Sequence, residues 1–458
     1  MTRNSKRITD LSAGEKRSLL AKLLWKKNSD AVWSVDQLGI PVTDLQAEAV
    51  LDPAIGATMA PGQIATEPER IFMTGATGFL GAFLVHELLQ QTKADIYCLV
   101  RSDNAEKSRK RLQETLASYG FREDALSARL IPVMGDLAEP LFGLSAHEFH
   151  TLASRIDTIY HNGAFVNWLY PYQRLKPSNV LGTQEVLRLA SQERVKPVHF
   201  ISSLIVFPIL ADSEVKIIRE NDSLDHGGVL YGGYTQSKWV AEKLVTIAQS
   251  RGIPASIYRP AGIIGQSQTG VWNTTDVLCK VLKSVIELGH APDGEGMLNM
   301  IPVDYVSKAV VHLSKRRESL GKAFHLANSQ SVSWRQLVTW MRSFGYPLQP
   351  IPYHTWRAQI LRLGRSQEST AYYLMPLFSM RLSEAAPSMA SSMPKFDAQN
   401  TLTALAGTSL VCPPIDRHMF ETYFAYFIRC GFLDVPPEGG MFRGLSNATA
   451  GASSTHTT

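Results

Sequence analysis

The chain has 458 residues, of which 45% are hydrophobic and 19% are charged, so its composition is that of an ordinary globular protein and excludes a disordered chain. Its net charge of +5 fits phosphorylated or acidic partners, but it is too small and too scattered to indicate nucleic-acid binding. The 4 cysteines form no CxxC pair, which argues against a disulfide scaffold and a zinc site and predicts no metal and a reducing, cytoplasmic compartment.

Residues 1–65 predict one helix followed by a linker. Ser12 and Glu15 form an S-x-x-E capping pattern, and leucines then repeat on one face of residues 12–28. The next stretch, DPAIGATMAPGQIATEPE, is typical of a linker or of a strap over the body. The polar start has no apolar stretch like a signal peptide, and serines and a proline interrupt the longest apolar run, residues 198–211. No membrane span is therefore predicted.

Residues 66–330 alternate short apolar runs with helical patterns. The candidate strands are RIFMTG, DIYCLVR, ARLIPVMGD, IDTIYHNGA, KPVHFISSLIV and PASIYRPAGI. Strands that alternate with helices predict a Rossmann-type α/β fold with a doubly wound parallel sheet. The alternation fades beyond residue 330, so residues 331–445 predict a smaller, mainly helical C-terminal substrate lobe. The small and polar residues 446–458 predict a disordered tail.

The first candidate strand continues directly into a glycine-rich turn and a helical pattern. A dinucleotide site needs this order, because the tight turn brings backbone N–H groups and the positive helix N-terminus to the pyrophosphate. The glycine spacing is G-x-x-G-x-x-G, which differs from the simple G-x-G-x-x-G fingerprint. The predicted phosphate-binding residues are Thr74, Gly75, Thr77, Gly78, Phe79, Leu80 and Gly81.

The second candidate strand ends at Arg101, where an NAD site usually has an acidic residue for the ribose hydroxyls. A guanidinium fork suits a 2′-phosphate, so Arg101, with Arg111 behind it, predicts NADPH as the cofactor. The neighbouring Lys107, Arg109 and Lys110 are interpreted as a solvated basic helix face, which could also meet an acidic carrier protein.

Two more loops follow candidate strands at the edge of a parallel sheet where ligands collect. Asp136 ends the third strand, and Asn162, Gly163 and Ala164 follow the fourth. We expect these loops to contact the adenosine and the nicotinamide side of the cofactor. Each sequence is also typical of an ordinary turn.

The sequence contains two Tyr-x-x-x-Lys pairs. The first, Tyr172 with Lys176, lies in a proline-containing loop with no hydroxyl upstream, and packing and solvation explain it. The second, Tyr234 with Lys238, follows a strand whose apolar run contains two serines. Residues four apart share one face of a helix, so the second pair can act at one place.

Reduction of a carbonyl requires the arrangement of the second pair, in which a tyrosine and a lysine follow a strand that carries serine hydroxyls. Hydride transfer leaves negative charge on oxygen, which needs a hydrogen-bond donor in place and an acid to protonate it. We expect Tyr234 to be that acid, with the Lys238 ammonium lowering the pKa of the phenol and reaching the nicotinamide ribose. Ser202 and Ser203 either bond to neighbouring main chain or aim a hydroxyl at the substrate carbonyl.

With these residues, the chain resembles the extended short-chain dehydrogenase/reductases. Within them it resembles the thioester reductase domains that end nonribosomal peptide and polyketide synthases. Carboxylic acid reductases and aminoadipate reductases carry related domains. The matching stretches, in order, are MTGATGFLGAFLVHELL, CLVR, GDL, YHNGAFVNWLYPYQRLKPSNVLGTQEVLRLA, FISS, YGGYTQSKWVAEKLV, IYRPAGIIG and NMIPVDYVSKAVV.

The resemblance implies reductive release of an acyl or peptidyl group from an acyl or peptidyl carrier protein. The group, held as a phosphopantetheine thioester, accepts hydride from NADPH to give an aldehyde, which some relatives reduce to an alcohol. The family's catalytic residues fall on Ser203, Tyr234 and Lys238, where Ser203 stands at a place often taken by Thr and Ser202 is the alternative. The resemblance also implies cofactor contacts at Leu137, Asn179, Pro260, Gly262 and Ile263.

No carrier signature with a modifiable serine precedes the reductase body, so we expect the carrier on a separate protein or on a longer chain from which this one was cut. The acyl group would be selected by the C-terminal lobe and by residues 266–300, where a helical pattern predicts one wall of the pocket. Two rival hypotheses remain. A sugar-nucleotide epimerase or dehydratase would hold NAD tightly and have a short chain, and a dinucleotide-sensing protein would need no catalytic triad.

Overall fold

The computed structural model of the protein describes residues 39–57, 67–121, 127–168, 170–207, 217–225, 228–366, 369–375, 378 and 394–437. The predicted helix over residues 12–28, most of the linker after it and the predicted tail lie outside these ranges. Within the described ranges, no helix combines the length and the apolar character needed to cross a membrane.

The strands are short and spread over the whole described chain. They are β1 (Gly39–Pro41), β2 (Arg70–Thr74), β3 (Asp95–Val100), β4 (Leu130–Met134), β5 (Thr158–His161), β6 (Val198–Ile201), β7 (Ile217–Ile218), β8 (Val229–Tyr231), β9 (Ala255–Pro260), β10 (Gly262–Ile264), β11 (His290–Pro292), β12 (Met297–Leu298), β13 (Met300–Pro302), β14 (Ala323–Leu326), β15 (Val332–Ser333), β16 (Gln349–Ile351) and β17 (Lys395–Phe396).

The α-helices are α1 (Val42–Gln46), α2 (Phe79–Gln91), α3 (Ala105–Ser118), α4 (Ala146–Arg155), α5 (Tyr172–Lys176), α6 (Gly182–Ser191), α7 (Gly233–Ser250), α8 (Val277–Leu288), α9 (Val303–Ser314), α10 (Trp334–Phe344), α11 (Tyr353–Leu363), α12 (Gln399–Leu405) and α13 (Arg417–Arg429). A π-helical turn, Pro177–Leu181, joins α5 to α6.

Parallel strands in the order β14-β9-β6-β5-β2-β3-β4 form the central sheet. The chain enters at β2, moves outward through β3 and β4, and returns to the other side of β2 with β5. This reversal confirms the doubly wound α/β fold and puts the carboxyl ends of β2 and β5 side by side, where such sheets bind ligands. All the predicted strands belong to this sheet, and β14 is a further strand that the sequence pattern did not predict.

Helices bury both faces of the sheet. On one face α2 packs against α9, and Leu84, Leu88 and Val306 belong to the same buried apolar cluster. On the other face α6 packs against α7, with Leu187 and Trp239 in a second cluster. Burial of these faces supplies the main favourable contribution to folding.

A third apolar cluster forms the C-terminal lobe. It joins α8 to α10, α11 and α13, with Leu282, Leu337 and Phe424 buried at its centre. Residues of β10, α8 and β11 therefore pack in this lobe together with residues beyond 330. The later α12 belongs to the Rossmann body instead, because Asn400 and Thr401 donate hydrogen bonds to the buried Glu220.

Residues 39–57 form a strap across the helices that follow β5. β1 pairs antiparallel with β8, directly before α7 begins. At the far end of α7, the Arg251 guanidinium donates to the carbonyls of Leu51 (3.2 Å), Asp52 (2.7 Å) and Ile55 (3.1 Å). The strap is thus fixed to both ends of the helix that carries the second Tyr-Lys pair.

We expect Arg251→Ala to lower the free energy of unfolding by about 1–3 kcal/mol, because hydrogen bonds from a charged donor to the strap are lost. Urea denaturation followed by circular dichroism measures this loss. Arg109→Ala removes the same charge from an exposed position and serves as the control. Equal destabilisation by the two variants would contradict the proposed anchoring.

Candidate active site

The glycine-rich turn lies between β2 and α2, at the reversal of the sheet. A Cβ on Gly81 would lie 1.9 Å from the Gly75 carbonyl oxygen, so the turn folds back on the helix only with glycine there. Gly78 precedes α2, and no side chain caps this helix end. The uncapped N-terminus leaves backbone N–H groups and a partial positive charge for a phosphate.

The loop after β5 packs directly on this turn. Gly163 N donates to Thr74 Oγ1 (2.8 Å), and Asn162 Nδ2 donates to the Gly75 carbonyl (3.2 Å). A Cβ on Gly163 would lie 3.0 Å from Leu137 Cδ2, so the loop after β4 joins the same edge. The structure therefore brings together the predicted residues Thr74, Gly75, Leu137, Asn162 and Gly163.

Arg101 follows β3 at this edge and is exposed. Within the described chain its guanidinium has no hydrogen bond or ion pair, whereas Arg111 Nη1 donates to the Arg101 carbonyl (3.0 Å). Lys107 and Lys110 pair with acidic side chains of their own helix region. Arg111 thus holds the backbone of Arg101, and the Arg101 fork is available for a phosphate.

The two serines after β6 have different surroundings. Ser202 is buried and its hydroxyl donates to Glu242. Ser203 is only half-buried; its Oγ lies 3.4 Å from the Pro260 carbonyl and accepts from Ile205 N at 3.4 Å. Because these two bonds are long, the Ser203 hydroxyl can turn to a substrate oxygen, whereas Ser202 is occupied.

Tyr234 lies in the first turn of α7, where another glycine allows a close approach. A Cβ on Gly233 would lie 2.4 Å from the Tyr170 carbonyl oxygen, so the loop before α5 can rest on the start of α7. Trp168 of that loop packs edge-on against the Tyr234 ring, with 5.3 Å between ring centroids. Burial raises the pKa of Tyr234 to about 12, opposite to the expected lowering by an ammonium.

Lys238 is buried one turn after Tyr234. Its Nζ donates to the Ile201 carbonyl (2.6 Å) and lies 4.2 Å from the centroid of the Phe200 ring. Burial lowers the pKa of the Lys238 ammonium to about 7, and the charge of Glu242 opposes this lowering. The ammonium is thus bonded at the end of β6, and burial is the cause of the raised pKa of Tyr234.

A chain of buried hydrogen bonds connects the glycine turn with α7. Thr74 Oγ1 lies 2.8 Å from His161 Nδ1, and His161 Nε2 lies 2.9 Å from Thr183 Oγ1, which donates to the Asn179 carbonyl. Asn179 Nδ2 then donates to Ser237 Oγ (2.9 Å). Burial lowers the pKa of His161 to about 3, so the ring is neutral and suited to this relay.

The relay changes the interpretation of two predicted cofactor contacts. The Thr74 hydroxyl and the Asn179 amide are both buried and hydrogen-bonded to protein groups, so they position the loops and α7. His161 and Thr183 were missed by sequence reasoning; a signal existed only for His161, which ends a short and mainly apolar strand, because the helix of Thr183 carries several polar residues. The remaining predicted contacts follow β2, β4 and β5, end β9 or lie on β10, which pairs with β13 outside the central sheet: Thr77, Phe79, Leu80, Asp136, Ala164, Pro260, Gly262 and Ile263.

The competing pair, Tyr172 with Lys176, has a structural role. Tyr172 Oη donates to Glu48 Oε2 (2.9 Å), and Lys176 Nζ contacts the same oxygen at 2.6 Å. Glu48 belongs to the strap of residues 39–57. Both side chains thus hold the strap on α5.

The chain is similar to known proteins in sequence and in fold. Residues 73–310 match the NAD-binding family described as male sterility protein. The chain is 40% identical over 416 residues to a linear gramicidin synthase of Brevibacillus parabrevis, covering 91% of this chain and 8% of that protein. It is 32% identical over 399 residues to an L-2-aminoadipate reductase of Penicillium chrysogenum, covering 82% of this chain and 28% of that protein.

Among solved structures, the chain is similar to the terminal R domain from the myxalamid PKS-NRPS biosynthetic pathway. The sequence identity is 43%, the TM-score is 0.80, and the match covers 86% of this chain and 99% of that one. The chain therefore spans almost all of a solved terminal domain but only a small part of each curated relative.

Proposed function

The chain belongs to the NAD-binding family described as male sterility protein and, within it, to the terminal reductase domains of peptide and polyketide synthases, and we propose that it reduces a carrier-bound acyl thioester with NADPH. The observation that carries the proposal is that Tyr234 and Lys238 share one face of α7, with Lys238 Nζ bonded to the carbonyl of Ile201, the last residue of β6 and two residues before Ser203. The product is an aldehyde, and a second reduction gives an alcohol.

The residues at the edge of the sheet fit NADPH. The uncapped N-terminus of α2 suits the pyrophosphate, and the Gly81 position leaves no room for a side chain between turn and helix. The exposed Arg101 guanidinium suits a 2′-phosphate. Bound NADPH supplies the hydride that the carbonyl carbon accepts.

The catalytic residues act on the carbonyl oxygen. The Ser203 hydroxyl donates a hydrogen bond that holds this oxygen, and the Tyr234 phenol gives it a proton as negative charge develops. A buried Lys238 ammonium favours the phenolate that remains. In the resulting hemithioacetal the C–S bond breaks, the hydroxyl proton leaves, and the phosphopantetheine sulfur departs as the thiol. Trp168 packs edge-on against the Tyr234 ring.

The partner in this proposal is an acyl or peptidyl carrier protein that presents the phosphopantetheine thioester. Support comes from the linear gramicidin synthase and the L-2-aminoadipate reductase, which are much longer proteins of which the chain spans only 8% and 28%. The acyl chain would lie toward α8 and the C-terminal lobe, because residues of β10 and α8 are part of that lobe's apolar cluster.

The test incubates the protein with NADPH and an acyl-phosphopantetheine thioester and follows NADPH absorbance together with product by mass spectrometry. We expect NADPH consumption and one equivalent of aldehyde, or two equivalents of NADPH consumed for each alcohol. A sugar-nucleotide epimerase would interconvert its substrate without net consumption of NADPH, so a parallel incubation with UDP-sugars decides between the hypotheses. Thiol release by hydrolysis without NADPH consumption would refute the reductase.

A further inference from the structure

A buried charge pair lies one helical turn beyond Lys238. Glu242 is fully buried on α7, and both Arg259 Nε (2.9 Å) and Arg259 Nη2 (2.6 Å) donate to its Oε1. The other carboxylate oxygen accepts from the Ser202 hydroxyl. Both oxygens of Glu242 therefore have a fixed partner, as the burial of a charged pair requires.

Arg259 is itself held by groups from two other elements. Its Nη1 donates to the Glu220 carbonyl (3.0 Å) and lies 3.0 Å from His325 Nε2. His325 Nδ1 lies 2.7 Å from the Asp397 carbonyl, so the imidazole donates there and accepts from Arg259. Burial lowers the pKa of His325 to about 3, and the ring stays neutral. The guanidinium thus cannot turn away from Glu242.

We propose, on the basis of the function above, that Glu242 is a positioning residue whose fixed negative charge keeps the buried Lys238 ammonium protonated during catalysis. Glu242 lies four residues after Lys238, on the same face of α7. Ser202, the alternative to Ser203 as the catalytic serine in the sequence, then has the role of orienting this carboxylate through its hydrogen bond.

The other groups around Lys238 cannot replace this charge. From β5, His161 is neutral; from β6, the Ile201 carbonyl and the Phe200 ring carry no net charge. From α7, Tyr234 is uncharged because its pKa is raised. Arg259 on β9 is positive and would favour the neutral lysine. Burial alone would therefore deprotonate Lys238, and Glu242 is the negative group that opposes it.

The experiment is a titration of Lys238 by NMR in protein with ¹³C at the lysine Cε, with the signal assigned through Lys238→Arg. We expect Glu242→Gln to move the pH midpoint of Lys238 down by about one pH unit. The ammonium form of Lys238 exists below the midpoint. The alkaline limb of the pH profile of kcat therefore moves to lower pH by the same amount, and turnover at pH 8 falls about tenfold relative to the parent. Ser202→Ala removes a hydrogen bond to the same carboxylate but not its charge, and we expect its midpoint to stay at the parental value.

A second variant provides the measurement if Glu242→Gln does not fold. Glu242→Gln combined with Arg259→Met removes both charges, so no unpaired guanidinium remains buried. Because the double variant also loses the opposing charge of Arg259, its Lys238 midpoint is compared with that of Arg259→Met, and a midpoint no lower than in Arg259→Met would overturn the proposal. The NMR midpoint needs no acyl substrate, so an enzyme that fails to reduce thioesters would refute the proposed function and still leave this measurement decisive.

Discussion

Tyr234→Phe is expected to lower kcat for thioester reduction by about 10²–10⁴-fold, because the carbonyl oxygen loses its proton donor. The half-buried phenol lies against Trp168, and phenylalanine retains this ring contact. Binding of NADPH, measured by the fluorescence of the reduced nicotinamide, should change by less than about threefold because the phosphate and ribose contacts remain.

Tyr172→Phe is the matched control, because it removes one hydroxyl from the first Tyr-x-x-x-Lys pair. That hydroxyl donates to Glu48 in the strap, so its loss should cost about 1 kcal/mol of stability and leave kcat unchanged. Turnover of Tyr234→Phe at the parental rate would refute the acid role. An equal loss of kcat in both variants would show that the strap, and not the phenol, controls the reaction.

The alternation of apolar runs and helical patterns was sufficient to predict the sheet. The six predicted strands are mainly apolar, as expected for strands that are covered on both faces. The strand β14 was not predicted, although it has four residues and one buried histidine, as the predicted β5 and β6 do. The burial of His325 depends on hydrogen bonds to Arg259 and Asp397, which are distant in sequence.

The candidate site was predictable in its residue types but not in its electrostatics. Sequence spacing put Tyr234 and Lys238 on one helix face, yet it could not distinguish Ser202 from Ser203. That distinction depends on Glu242 and the Pro260 carbonyl, which reach the serines only in the folded sheet. The direction of the Tyr234 pKa was wrong for the same reason, because the extent of burial is a property of tertiary packing.

Arg101→Gln is expected to weaken NADPH binding by about 10–100-fold and to change NADH binding by less than about twofold. The reason is that charge-assisted hydrogen bonds to the 2′-phosphate, worth about 1.5–3 kcal/mol, are made only by NADPH. The guanidinium is exposed at the end of β3 and has no other hydrogen bond or ion pair within the described chain. Fluorescence titration with each dinucleotide measures the effect without an acyl substrate.

Arg109→Gln provides the control, because it removes the same charge from an exposed position on α3. If general attraction by a basic surface governed affinity, both variants would weaken NADPH binding equally. This weakening relative to the parent would then disappear at high salt. A specific fork at Arg101 instead predicts a loss confined to Arg101→Gln that persists at high salt. Equal losses for NADPH and NADH in Arg101→Gln would exclude recognition of the 2′-phosphate, because the phosphate is the group by which the two cofactors differ.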